Sequence, residues 1–157
     1  VDALTYEGDV TVNDSSGPIN LENSSGNILA FNVKPADVGD TFKVRTSSGK
    51  LFLQQVEHQQ MEAGSISGSI LFAGNLISGG QYRFSTSNGQ IGVTVPGASS
   101  FTVVASYGYG HFFSEIPLKV STQNNVGGVK VITASAGTGD ATLNITTNSG
   151  SIKIKKQ

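Results

Sequence analysis

Cysteine is absent from the 157 residues, which excludes disulfides, thiolate metal sites and cysteine nucleophiles. Charge is scarce: Asp, Glu, Lys and Arg make up 13% of the chain, about half the usual share. The 10 basic and 11 acidic residues leave a net charge of −1, so there is no basic footprint for a phosphate backbone, and nucleic acid is set aside as a partner. No apolar run approaches the ~20 residues of a membrane helix, so this segment is not expected to insert into a bilayer. Val1 follows no Met, charged leader or apolar stretch, and the expectation is a mature or trimmed segment from which a signal or anchor was removed.

Histidine is nearly absent too. His58 and His111 are the only two, neither has a His or Cys partner at ligand spacing, and neither a metal nor another cofactor is expected. The nearest thing to a calcium loop, "GTGD" ending at Asp140, occurs once and reads as a solvated turn. Helical periodicity is weak; "QQVEHQQMEAG" at 54–64 is the one plausible helical turn.

What fills the gap is 20 Gly with many Ser, Thr and Asn. Small polar triplets ending in Gly recur at Gly17, Gly26, Gly49, Gly68, Gly89, Gly108 and Gly150, with a diverged copy at Gly127. From Gly26 onward the spacings are 23, 19, 21, 19, 19 and 23, a period of about 20 residues. Apolar residues sit two and four places after the Gly, as in Leu51 and Leu53 or Ile91 and Val93. They also sit seven and five places before it, as in Phe42 and Val44 or Tyr82 and Phe84. Each unit is therefore strand, polar corner, strand, the Gly giving backbone freedom and the Ser, Thr and Asn satisfying turn amides.

The fold class is all-β. One reading is a β-solenoid, a parallel β-helix-like stack of ~20-residue repeats in which successive corners pile up; the other closes each "NG" or "SG" as a hairpin and folds the meander into an antiparallel sandwich or barrel. The solenoid is preferred, because periods of 20 to 50 residues mean stacked units. Residues 1–157 then form a single domain. The 9-residue gap from Gly17 to Gly26 is too short for a coil, so 1–26 is expected to be an atypical N-terminal cap.

The segment from "GSISGSILF" through "YRFSTSNGQIGVTVPG", with the closing "GTGDATLNITTNSGSIKIKK", resembles a bacterial family of unknown function described as adhesins. Tyr82, Thr86, Asn88, Gly89, Ile91 and Pro96 match its first motif, and Gly137, Gly139, Ile145, Thr147, Gly150 and Ile152 its last rung. The resemblance covers about 68–155. It implies a β-helix-like fold, an exported or envelope-anchored setting and an adhesive role, and it brings no catalytic residues.

The residues themselves offer little chemistry. Glu57 precedes His58, but neighbours in a strand point to opposite faces, and the pair reads as an exposed polar loop. Glycoside chemistry would need two carboxylates in one cleft, a test that clustering of Glu57, Glu62 and Glu115 would meet. One rung departs from the pattern: in "SYGYGHFF", parity counted from Gly108 sends Phe112 inward and Tyr107, Tyr109, His111 and Phe113 outward. That aromatic stripe is the candidate ligand site, suited to sugar stacking or protein contact, unless the 54–64 segment covers it. The expected function is a non-enzymatic extracellular, periplasmic or envelope-anchored protein that presents a rigid β surface to a carbohydrate or protein. The alternatives are a small carbohydrate-active enzyme and a structural subunit that oligomerises through exposed strand edges.

Overall fold

A computed structural model describes residues 2–37, 39–74, 76–77, 79–96, 100–138 and 140–156; Gly139, one of the motif residues, lies outside them. The described residues form sixteen strands. Two strands joined at a glycine make a rung. The first five rungs are β1 (Asp2–Glu7) with β2 (Val10–Ser16), β3 (Ile19–Ser25) with β4 (Ile28–Lys34), β5 (Thr41–Ser48) with β6 (Leu51–Val56), β7 (Gln60–Ser67) with β8 (Ile70–Ala73), and β9 (Gln81–Asn88) with β10 (Ile91–Val95). The sixth is β11 (Phe101–Tyr109) with β12 (Phe112–Ser114). A hairpin of β13 (Lys119–Val126) and β14 (Val129–Ala136) follows, and the last rung is β15 (Ala141–Ser149) with β16 (Ile152–Lys156).

The strands build two sheets, nine-stranded in the order β1-β3-β5-β7-β9-β15-β11-β14-β13 and seven-stranded in the order β12-β16-β10-β8-β6-β4-β2. All pairings are parallel except those of β14 with β11 and with β13. The solenoid reading therefore holds for the rungs and the hairpin reading holds locally. Gly127 is not a corner: with Gly128 it makes the two-residue turn between β13 and β14, both residues at positive φ (59° and 82°), as a type I′ turn requires.

The core lies between the sheets. It comprises the inward columns Ile19, Phe42, Met61, Tyr82, Leu143, Val103 and Leu21, Val44, Ala63, Phe84, Ile145, Ala105 from one side, and Ile28, Leu51, Ile70, Ile91, Ile152 from the other. Burial of Tyr82 pushes its hydroxyl pKa up, while the N–H of Ile77, donating to that oxygen at 2.8 Å, pulls the other way. Ile91 and Ile152 are adjacent in register and fully buried. Ile91→Ala and Ile152→Ala are each expected to cost about 2 to 5 kcal/mol in denaturant unfolding; a loss below about half a kcal/mol at both would contradict the observed register.

Three sequence expectations are corrected in the first half of the chain. Residues 2–16 are not an atypical cap but a full rung whose corner is Gly8, with β1 paired to β3 and β2 to β4. Gly17 turns the chain back towards the first sheet, which explains its short distance from Gly26. The 54–64 segment is not helical: Val56, His58, Met61 and Ala63 are buried and lie in or between β6 and β7. His58 was expected in an exposed loop, yet it is fully buried; its Nε2 donates to the carbonyl of Gly17 at 2.7 Å, and its ring meets Phe42 at 5.6 Å. Nδ1 has no partner. His58→Ala is expected to lose about 2 to 4 kcal/mol, combining a cavity with an orphaned carbonyl. His58→Phe, which keeps the ring packing, should lose less in the same urea titration.

At the far end β13 carries Lys119 and a register irregularity between Val120 and Thr122, two features that oppose strand addition. The free edges at the other end are β1 and β2.

Candidate binding surfaces

The aromatic stripe does not form as parity from Gly108 required. The sixth corner is Gly110, whose φ is 125° and whose Cβ would overlap the carbonyl of Gly150. Counting from Gly110 moves the inward positions to Val103, Ala105 and Tyr107, and Tyr107 is 6% exposed. The Lys130 ammonium lies over its ring, 5.7 Å from the centroid. Tyr107 thus packs as core. Tyr109 (77% exposed), His111 and Phe113 (55% exposed) do face solvent. They are not one stripe: Tyr109 pairs with Ser149 in the nine-stranded sheet, His111 sits past the corner, and Phe113 pairs with Lys153 in the seven-stranded sheet.

Tyr107 occupies the place where the other rungs bury a small polar residue, three before the corner: Asn23, Thr46, Ser65, Thr86 and Thr147. Four of these reach one rung back. Asn23 Nδ2 donates to the carbonyl of Gly8 at 2.8 Å, Thr86 Oγ1 to Gly68 at 3.1 Å, Thr147 Oγ1 to Gly89 at 3.3 Å and Ser65 Oγ to Gly49 at 3.5 Å. The Ser, Thr and Asn of the repeat tie successive corners together from inside.

The outer face of the nine-stranded sheet forms an open trough of about 890 Å³, lined by small hydroxyl side chains together with the exposed apolar Leu4, Tyr6, Ile66 and Val129. Parallel register stacks its outward positions into columns. One runs Leu4, Glu22, Arg45, Gly64, Ser85, Thr146, Ser106. The neighbouring column places Ser24, Ser47, Ile66, Ser87 and Asn148 along the same floor. Ser85, Thr146 and Ser106 set three hydroxyls in succession at the strand spacing of about 4.8 Å, with Ser87 beside them. Arg45 Nη2 and Glu62 Oε1, 3.3 Å apart, mark one side. At the N-terminal end stand Leu4 and Tyr6, both exposed. Sequence reading passed over this surface because no single Ser signals a site; only register turns scattered hydroxyls into rows.

For acid–base chemistry the relevant carboxylates are dispersed. Glu62 lines the trough, Glu57 follows β6, and Glu115 follows β12, where one of its oxygens accepts the Lys156 N–H at 3.0 Å. Among the described residues no group of three or more His, Asp or Glu side chains could hold a metal ion. No helix among them is long and apolar enough to cross a membrane.

The family profile described as Toastrack DUF4097 matches residues 5–155. It stands for an uncharacterised family with a repeated β-fold, in agreement with the stacked rungs. No curated protein and no solved structure matches the chain.

Proposed function

We propose, from the premise that the chain belongs to the Toastrack DUF4097 family, that it is a non-enzymatic binding module of the bacterial envelope or exterior. It holds an extended carbohydrate or protein strand along the open trough of the nine-stranded sheet. The observation that carries this reading is the repetition of uncharged hydroxyls across consecutive strands in an open trough. A repeating polymer meets hydroxyls on three successive strands at Ser85, Thr146 and Ser106, without a deep pocket. Uncharged hydroxyls pair with sugar hydroxyls or peptide groups at low desolvation cost compared with charges. The adhesive role implied by the sequence resemblance fits this surface, and the exposed Tyr6 offers a stacking ring at one end.

The test is a glycan and cell-wall binding screen with the folded chain, followed by obstruction of the trough. Ser85→Trp with Ser106→Trp is expected to weaken capture at least tenfold while leaving the melting midpoint within a few degrees. A binder held with unchanged affinity by that variant rules the trough out. Hydrolysis of a captured glycan, tracked by reducing ends, would instead favour the carbohydrate-active reading and direct attention to Glu22 and Glu62, the carboxylates of the trough.

A further inference from the structure

The two outer faces of the stack differ in chemistry. On the seven-stranded sheet, register aligns Thr11, Leu29, Phe52, Leu71, Gly92, Lys153 and Phe113 in one outward column. Phe31, Gln54, Ala73, Thr94 and Lys155 stand beside it in the next. A solvated sheet face alternates with the core and is ordinarily polar. Here four strands in succession present Leu29 and Phe31, Phe52, Leu71 and Ala73, and Gly92. Leu71 is 39% exposed and leans over Gly92, where a Cβ would stand 2.8 Å from its Cδ2. Beside it is a hollow of about 310 Å³ walled by Phe31, Phe52, Leu71 and Lys155.

Charge on this face is uneven along the stack. Asp9 and Asp14 are exposed at the β2 end, with Lys34 on the neighbouring β4, while Lys153 and Lys155 are exposed on β16 near the other end, with Glu115 just past β12. An anionic membrane would attract one end and repel the other. A second copy laid on with its stack reversed brings each end against the opposite sign.

We propose that this face is a homodimer interface, in which two copies of the chain pack sheet to sheet about a two-fold axis parallel to the strands and close to β8. An isologous contact needs a self-complementary patch. With the axis on β8, Leu71 meets Leu71 of the second copy, and Phe52 lies over the second copy's Gly92. Lys153 and Lys155 then cover its Leu29 and Phe31 with their stems, one strand from Asp14, towards which their ammonium groups extend. Six strand intervals of about 4.8 Å and a width of four to five residues give roughly 850 Å² over both partners, the scale of a weak, reversible association. The two troughs then face outwards on opposite sides, and a dimer engages a polymeric ligand bivalently. The dimer stands independently of what the troughs bind.

Sedimentation velocity of the chain at micromolar to millimolar concentrations tests the proposal. The expected result is a species of twice 16.3 kDa that dissociates more readily as salt rises. Leu71→Glu, which sets two carboxylates together at the axis, should weaken association at least tenfold with the β circular dichroism spectrum retained. Lys153→Glu with Lys155→Glu should weaken it several-fold, and carries the test if Leu71→Glu does not fold. Ile66→Glu, on the opposite face, should change nothing. A 16.3 kDa species at every concentration overturns the proposal. So does a dimer that survives Leu71→Glu, which would point to the free edges of β1 and β2. Co-flotation with phosphatidylglycerol vesicles that Leu71→Glu abolishes would assign the face to a membrane and likewise overturn it.

Discussion

Truncation after Thr138, which removes β15 and β16, is expected to collapse the C-terminal part of the stack rather than fray one end. The last rung in the chain is not the last rung in space. β15 pairs with β9 on one side and β11 on the other, and β16 lies between β10 and β12. Its removal takes away Leu143, Ile145, Ile152 and Ile154, all fully buried, worth roughly 8 kcal/mol at about 2 kcal/mol each. It also leaves β11 and the β13–β14 hairpin without a parallel neighbour. Hydrogen exchange should show full loss of protection across 100–138, with a fall in melting temperature of roughly 15 °C or more. Deleting residues 1–9 is the comparison, because β1 has a partner on one side alone and its loss should cost only about 2 kcal/mol. Equal and mild effects from the two deletions would mean that the rungs follow chain order.

Gly89→Ala is expected to destabilise by about 4 kcal/mol or more, in the range reserved for backbone or packing failures. Two effects combine. The φ of Gly89 is 158°, and a Cβ there would overlap the carbonyl of Gly68. That carbonyl also accepts the Thr86 hydroxyl, so moving it breaks an inner tie between rungs. The same overlap recurs along the column: Gly26 on Gly8, Gly49 on Gly26, Gly68 on Gly49, Gly150 on Gly89 and Gly110 on Gly150. Gly17 separates the two effects, since it has a φ of 99° but open space at the Cβ position. Gly17→Ala should lose only about 1 to 2 kcal/mol, the cost of the strained φ. Chemical denaturation of the two variants decides it; equal losses would show that stacking of the corners contributes nothing.

Local chemistry is what a sequence displays, and that is how far it carried here. Alternation around Gly49, Gly68, Gly89 and Gly150 identified strand, corner, strand, because a strand with one buried face must alternate and a corner without room for a Cβ must be glycine. Those two constraints determined the all-β class and the inward residues of most rungs, Ile91 and Ile152 among them, while the period of about 20 residues gave the preference for stacking. They failed where two glycines compete, as at Gly108 and Gly110. They failed also where the corner lacks its polar pair, as at Gly8. Asp14, Asn32 and Gln55 were invisible as well. Each takes a φ near 50° at equivalent points of β2, β4 and β6, an irregularity that shifts parity so that Val33 and Val56 turn inward.

Order in space belongs to the tertiary structure alone. No local signal places the β15–β16 rung between the fifth and sixth, because its residues satisfy the same alternation whichever neighbour they stack upon. The same holds for the surfaces. Ser24, Ser85 and Ser106 are separate turn and strand residues along the chain, and only parallel register makes them a trough. Phe52, Leu71 and Gly92 likewise become one apolar face only when β6, β8 and β10 lie side by side. The sequence by itself determined which side of most strands is buried, since that is a property of neighbours two residues apart wherever no bulge or rival corner intervenes. What stands beside it was decided by packing across tens of residues.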